Sequence, residues 1–305
     1  MPVALTKNQF RQLALLTLGS AALFIVVRLL PTGTNVPHLN YVPAGRSIIQ
    51  TCDPSNPQFL PATEVQSPVT MTLATAAPAA AGQPVSAVLT LKTYGNKPIG
   101  PDDIAISNAK KIHLLIVDPT LTDYQHVHPE PADASGAWSF TFTPRAGGRY
   151  RFFADFVPAA TGVELYAWAD LTVSGPPAAP VPAARQNWTA DSDGYRFTLT
   201  PGALPIRARK IEDLTLTIER IGGGRVPLEV IMDAFAHLVA FDDQRSGFGH
   251  MHPLEVDITK LPDPVHPTLH FKLQLPRAGR YVIWSQVQIA GREIFAPFWF
   301  DAEEK

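Results

Sequence analysis

Six of the nine histidines in the chain fall in one repeated pattern. Residues 112–129 read IHLLIVDPTLTDYQHVHP and residues 235–253 read FAHLVAFDDQRSGFGHMHP. His113, Asp118, His126, His128 and Pro129 each recur 124 positions later, as His237, Asp242, His250, His252 and Pro253. Imidazoles at this spacing suit metal chemistry. In an extended strand, residues i and i+2 project to one face with Cα atoms roughly 7 Å apart, near enough for both rings to reach one ion. His126 and His128 meet that condition, as do His250 and His252. His113 and His237 lie on the preceding apolar strand, and a turn of about eight residues makes the two strands plausible antiparallel neighbours. Three imidazoles then converge in each half, an all-nitrogen set that suits Cu(II) or Zn(II). Glu164 and Glu293, at matching positions, are candidate additional ligands. Asp155 aligns with Gln286 and so cannot serve as a ligand in both copies.

The same residues also admit a purely structural role. A histidine in a strongly apolar strand is commonly a hydrogen-bonded core residue, and His-x-His-Pro can hold a turn through backbone carbonyls. Asp118 and Asp242 end a strand before a turn and read as turn-forming. His266 and His270 have no counterpart in the first half and read as surface or packing residues. No nucleophile motif, phosphate-binding glycine loop or His-Glu-x-x-His segment is present, so no enzyme activity is expected.

The elements that must position these histidines are strands. VTMTLAT, PVSAVLTLKTY, GAWSFTFTP and their counterparts YRFTLTP, LTLTIERI and LHFKLQLP alternate apolar and polar residues, the period of a half-buried strand. The pattern predicts a mainly β chain with two tandem immunoglobulin-like antiparallel sandwiches, over 69–173 and 188–305. A Pro/Ala segment, 174–187, reads as a semi-rigid spacer between them. PRAGGRY at 144–150 matches PRAGRY at 276–281. A tyrosine opening a strand there fits a tyrosine corner, which gives Tyr150 and Tyr281 structural roles.

Before the sandwiches, residues 1–12 form a short basic tail with Lys7 and Arg11. An apolar run follows from Leu13 to Leu30, interrupted only by Arg28. Eighteen helical residues span roughly 27 Å, about the hydrocarbon thickness of a bilayer. The segment 13–30 is therefore expected to be an uncleaved single transmembrane anchor with a cytoplasmic N-terminus, placing the bulk of the chain in the periplasm of a Gram-negative cell. Residues 31–68 hold seven prolines and read as an extended strap. Cys52 is the one cysteine, which excludes an intrachain disulfide and any Cys-x-x-Cys site. The formal net charge of -2 argues against nucleic-acid binding.

Through the pattern HL(V/I)…D…F.H.HP…P..G.Y, both halves resemble poorly characterised bacterial periplasmic modules near the CopC-like and cupredoxin-like β-sandwiches. The resemblance spans roughly residues 69–303. It implies an exported, immunoglobulin-like domain associated with copper or other metal handling, without an established activity. Two functions follow as expectations. One is a non-enzymatic interaction protein, an accessory or stabilising subunit docked on other subunits of an inner-membrane complex, electron-transferring or similar. The other is a periplasmic Cu(II)- or Zn(II)-binding protein that sequesters or delivers metal through its paired histidine clusters.

Overall fold

The computed structural model describes residues 6–29, 54–55, 59–133, 136–181 and 186–304. Cys52, most of the strap, residues 182–185 of the linker and the side chain of Arg28 lie outside the described residues.

Helix α1 runs from Lys7 to Leu29. Its first turn is closed by a capping box. Gln9 N donates to Thr6 Oγ1 at 3.3 Å, and Thr6 N donates to Gln9 Oε1 at 3.0 Å. Its span Lys7–Val26, with mean hydropathy 1.4, is long and apolar enough to cross a bilayer. Phe10, Leu16, Leu18 and Phe24 all stand exposed, so the helix is apolar around its circumference. Such a surface fits membrane anchoring.

Strand β1 (Phe59–Leu60) precedes the first sandwich. That sandwich contains β2 (Val69–Thr75), β3 (Val85–Thr93), β4 (Ile104–Ala105), β5 (Ile112–Val117), β6 (Tyr124–Val127), β7 (Glu130–Pro131), β8 (Ala137–Phe142), β9 (Gly148–Pro158) and β10 (Leu165–Val173). The second contains β11 (Thr189–Ser192), β12 (Tyr195–Pro201), β13 (Ile211–Arg220), β14 (Leu228–Glu229), β15 (His237–Asp242), β16 (Phe248–Met251), β17 (Thr268–Gln274), β18 (Gly279–Ile289) and β19 (Arg292–Ala302). In the first domain a sheet of order β2-β3-β8-β7 faces one of order β10-β9-β5-β6, with β4 also paired to β9. The second domain repeats the plan, with β11-β12-β13-β17 facing β1-β16-β15-β18-β14 and β19 on β18. All of these strand pairs are antiparallel.

The alternating strands bury one face each. Leu89 and Leu91 of β3 meet Trp138 and Phe152 in the first core, and Leu214 and Leu216 of β13 meet Phe271 and Ile283 in the second. Strands β5 and β15 behave differently, because every residue in them is buried. Leu114 and Ile116 enter the first core, whereas Leu115 and Val117 face away from it. Those outward residues form a third core between the domains, with Tyr124 and Phe153 from the first domain and Val239, Phe241, Phe248, Val282 and Trp284 from the second. A strand covered on both faces needs a continuous apolar run, which is why HLLIV and HLVAF lack alternation. Each large side chain buried there contributes roughly 1.5–3 kcal/mol, so the interface is a structural core in its own right. The Pro/Ala segment thus joins two domains that are already packed together.

Further contacts lock the interface. Arg151 donates to the carbonyl of Arg245 at 2.8 Å, and Arg245 donates to the carbonyl of Arg149 at 2.7 Å. Strand β1 precedes the first domain in sequence but pairs with β16 of the second, Phe59 opposite Gly249. Phe59 sits edge-on to Tyr281 with ring centroids 5.8 Å apart. Gly247 permits this approach, since a Cβ there would lie 1.7 Å from the Leu60 carbonyl oxygen.

Candidate metal centre

The histidines lie on the interdomain face. His113 shares it with Leu115 and Val117, because alternate residues of a strand point the same way. Pairing of β5 with β6 sets Leu115 opposite His126, which brings His113 beside the His126–His128 pair. Pairing of β15 with β16 sets Val239 opposite His250 and does the same for His237. The result is two triads, His113–His126–His128 and His237–His250–His252, each offering three ligand nitrogens within 4.8 Å of one another. Each triad can hold a metal ion. The triads adjoin across the interface: the rings of His126 and His250 are 5.7 Å apart, against 5.3 Å for His113 and His126 within one triad.

Hydrogen bonds set the tautomers. His113 Nε2 lies 3.0 Å from the carbonyl oxygen of Ser107, which can only accept, so Nε2 carries the hydrogen. His126 Nδ1 lies 2.7 Å from Gln286 Oε1 and donates to it. Gln286 Nε2 donates in turn to Glu293 Oε2 at 2.9 Å, which fixes the amide orientation. The two nitrogens left over, His113 Nδ1 and His126 Nε2, face each other at 3.2 Å. Both carry lone pairs, so this contact is repulsive without a cation between them. It matches the separation of roughly 3.3 Å between two nitrogens on one tetrahedral ion with bonds of about 2.0 Å.

The second triad repeats the arrangement. His237 Nε2 lies 3.0 Å from the carbonyl oxygen of Ile231, and His237 Nδ1 lies 3.2 Å from His250 Nε2. His250 Nδ1 lies 3.4 Å from Asp155 Oδ2. In the first triad His128 Nε2 is buried and has no hydrogen-bond partner among the described residues. A buried nitrogen without a partner fits a ligand position better than a core histidine, which is normally satisfied.

Electrostatics favour neutral imidazoles. Burial, then the charges of neighbouring histidines, hold His126 and His250 well below the usual histidine value. Burial and His252 do the same for His237, while burial lowers His113 against the opposing bond to Ser107. His128 is held down to about 3 by burial, His113 and Lys110. Neutral imidazole is the metal-binding form. Burial and the adjoining Glu164 carboxyl push Asp155 well above the ordinary carboxylate range.

The two carbonyls that hold His113 and His237 belong to tight turns. Ser107 and Lys110 bond reciprocally around Asn108 and Ala109, at φ 48° and 63°. Ile231 and Ala234 do so around Met232 and Asp233, at φ 48° and 60°. Four non-glycine residues in the left-handed region carry a conformational cost, a feature concentrated at functional sites.

Glu164 and Glu293 stand one bond farther out than ligands, Glu164 against Asp155 and Glu293 against Gln286. Asp118 accepts from the backbone N–H groups of Thr122 at 2.7 Å and Asp123 at 2.9 Å, and Asp242 accepts from Ser246 N at 2.6 Å, so both hold turns. Tyr281 donates to the Arg277 carbonyl at 2.9 Å, four residues upstream, as a tyrosine corner requires. Tyr150 instead accepts from Ala146 N and donates to Asp123. His270 pairs with Glu255 at 2.6 Å, apart from both triads.

The family model for a domain of unknown function, DUF8832, matches the chain twice, over residues 63–174 and 189–304. The chain belongs to that family. The two DUF8832 segments each carry one triad. No curated protein matches the chain. Among solved structures, fibronectin(III)-like modules of Clostridium thermocellum CbhA are 11% identical, covering 76% of this chain and 95% of theirs at a TM-score of 0.20. A Corynebacterium diphtheriae protein described as membrane anchored is 9% identical, with 78% of this chain and 59% of its own covered at a TM-score of 0.24. These likenesses concern the β-sandwich fold alone.

Proposed function

We propose that the chain is a membrane-anchored, non-enzymatic metal-binding protein that holds two cations, Cu(II) or Zn(II), in its histidine triads. The observation that carries this reading is the lone-pair pairing of His113 Nδ1 with His126 Nε2 at 3.2 Å; His237 Nδ1 and His250 Nε2 stand at the same 3.2 Å. A fold that needed these histidines only for packing gains nothing from such a repulsion. The second nitrogen of each of these four rings is held by an oxygen, the arrangement of metal-ligating histidines. Burial of the ligands suits sequestration or delivery over turnover, and we read the anchor as having a cytoplasmic N-terminus, with the triads on the periplasmic side. Elemental analysis of the full chain, purified in detergent without a metal-affinity tag, tests it. Two Cu or Zn per chain, falling to one in His126→Asn, is expected. No uptake after exposure to either ion contradicts it.

A second reading, an accessory subunit docked on an inner-membrane complex, draws support from the segment between β16 and β17 of the second DUF8832 domain. There Val256 is 73% and Leu261 76% exposed. Such side chains suit burial against a partner. Stoichiometric co-purification with a membrane complex, lost in Val256→Ser/Leu261→Ser, tests it. The two roles are compatible.

A further inference from the structure

We propose that Gln286 and Asp155 are positioning residues, each for the metal ligands of the opposite domain. The proposal rests on the metal-binding reading of the triads. Gln286 is the cross-strand neighbour of His237 on β18 and β15, and Asp155 is that of His113 on β9 and β5. Neither serves the histidine beside it. Gln286 Oε1 reaches over the interface to His126 Nδ1 at 2.7 Å, and Asp155 Oδ2 reaches the other way to His250 Nδ1 at 3.4 Å. The relation is reciprocal: the same position of the repeat, in each copy, supports the central histidine of the other copy.

Both residues are enclosed, Gln286 at 0% and Asp155 at 3% exposure, where an amide or carboxyl is costly unless its bonds are made. Gln286 makes two, to His126 and to Glu293. An imidazole that binds metal through Nε2 keeps a fixed ring plane and tautomer when its Nδ1–H is held by such an acceptor. His126 and His250 have their acceptors only when the two domains are packed. Each domain therefore lacks, in isolation, the group that orients its own site.

The test uses the full chain in detergent, with Cu(II) affinity measured against a competing chelator and the bound ion followed by electron paramagnetic resonance. His252→Asn leaves the first-domain triad as the site to be read, and His128→Asn leaves the second. In the His252→Asn background, Gln286→Leu is expected to weaken Cu(II) binding by about 10–100-fold and change the spectrum. Gln286→Glu, which retains an acceptor, is expected to restore both. In the His128→Asn background Gln286→Leu is expected to leave affinity and spectrum unchanged, although Gln286 adjoins His237. A loss of equal size in both backgrounds, or in neither, overturns the proposal. If Gln286→Leu does not fold, Asp155→Leu in the His128→Asn background reads the same relation at His250, where a loss supports the proposal and none overturns it. Absence of Cu(II) binding in both backgrounds before any second substitution overturns the metal reading itself.

Discussion

His126 donates from Nδ1 to Gln286 Oε1 over 2.7 Å, joining residues 160 positions apart across the face where the two DUF8832 domains meet. The polar groups behind the histidines thus join the domains alongside the apolar core around Phe153, Phe241 and Trp284.

One consequence is cooperative unfolding. The interdomain core encloses Leu115, Val117, Phe153, Val239, Phe241 and Val282 at 0% exposure, so neither domain opens without stripping the other's face. Calorimetry of the metal-free chain is expected to show a single transition for both domains. Phe241→Ala is expected to cost about 3–5 kcal/mol and to lower that transition as a whole. Two resolved transitions contradict a shared core.

The buried histidines make stability depend on pH with a definite sign. His113, His126, His128, His237 and His250 all have folded-state values below the ordinary 6.5. Below pH 6.5 the unfolded chain binds more protons than the folded one, so stability falls as pH falls. The loss begins near 6.5 and for His128 continues to about 3. Asp155 is raised and acts in the opposite sense, favouring the folded state as pH falls toward the ordinary carboxylate value, but it is one group against five. Urea midpoints of the metal-free chain are expected to decrease from pH 7 to pH 5; a flat profile contradicts neutral, buried imidazoles.

Gly247 tests the docking of β1. A methyl group there meets the Leu60 carbonyl at 1.7 Å, so β1 must leave β16 and take Phe59 out of the second core. Gly247→Ala is expected to destabilise the chain by roughly 1–3 kcal/mol and to expose the segment around residue 60 to proteolysis. An unchanged cleavage pattern contradicts the pairing.

The tyrosine corner at Tyr281 provides a control. Tyr281→Phe removes one hydrogen bond to the Arg277 carbonyl and is expected to cost about 1 kcal/mol with no change in metal content. A loss of metal in that variant contradicts a purely structural role.

Much of this architecture is legible in the sequence. Alternation in VTMTLAT and YRFTLTP marks strands with one buried face, and recurrence of His113, His126 and His128 at a constant offset marks two copies of one constellation. The interdomain core is encoded as well, in the missing alternation of HLLIV and HLVAF, but a continuous apolar run does not say what covers its second face. The roles of Gln286 and Asp155 are harder to read. Alignment sets them at one position and argues against a ligand common to both copies; only the register of β9 and β18, and the packing of one domain on the other, turns them toward the opposite histidines. The turns that hold His113 and His237 are also hidden, because Asn108-Ala109 and Met232-Asp233 lack the glycine that usually announces two left-handed residues.

The most direct test of the central claim is X-ray absorption at the metal edge of the full chain loaded with Cu(II) or Zn(II). The account predicts a first shell of nitrogen at about 2.0–2.1 Å with the outer-shell scattering of about three imidazoles per ion. An oxygen-dominated shell without imidazole scattering, or a chain that retains no ion, contradicts it and returns the six histidines to the packing of the interface.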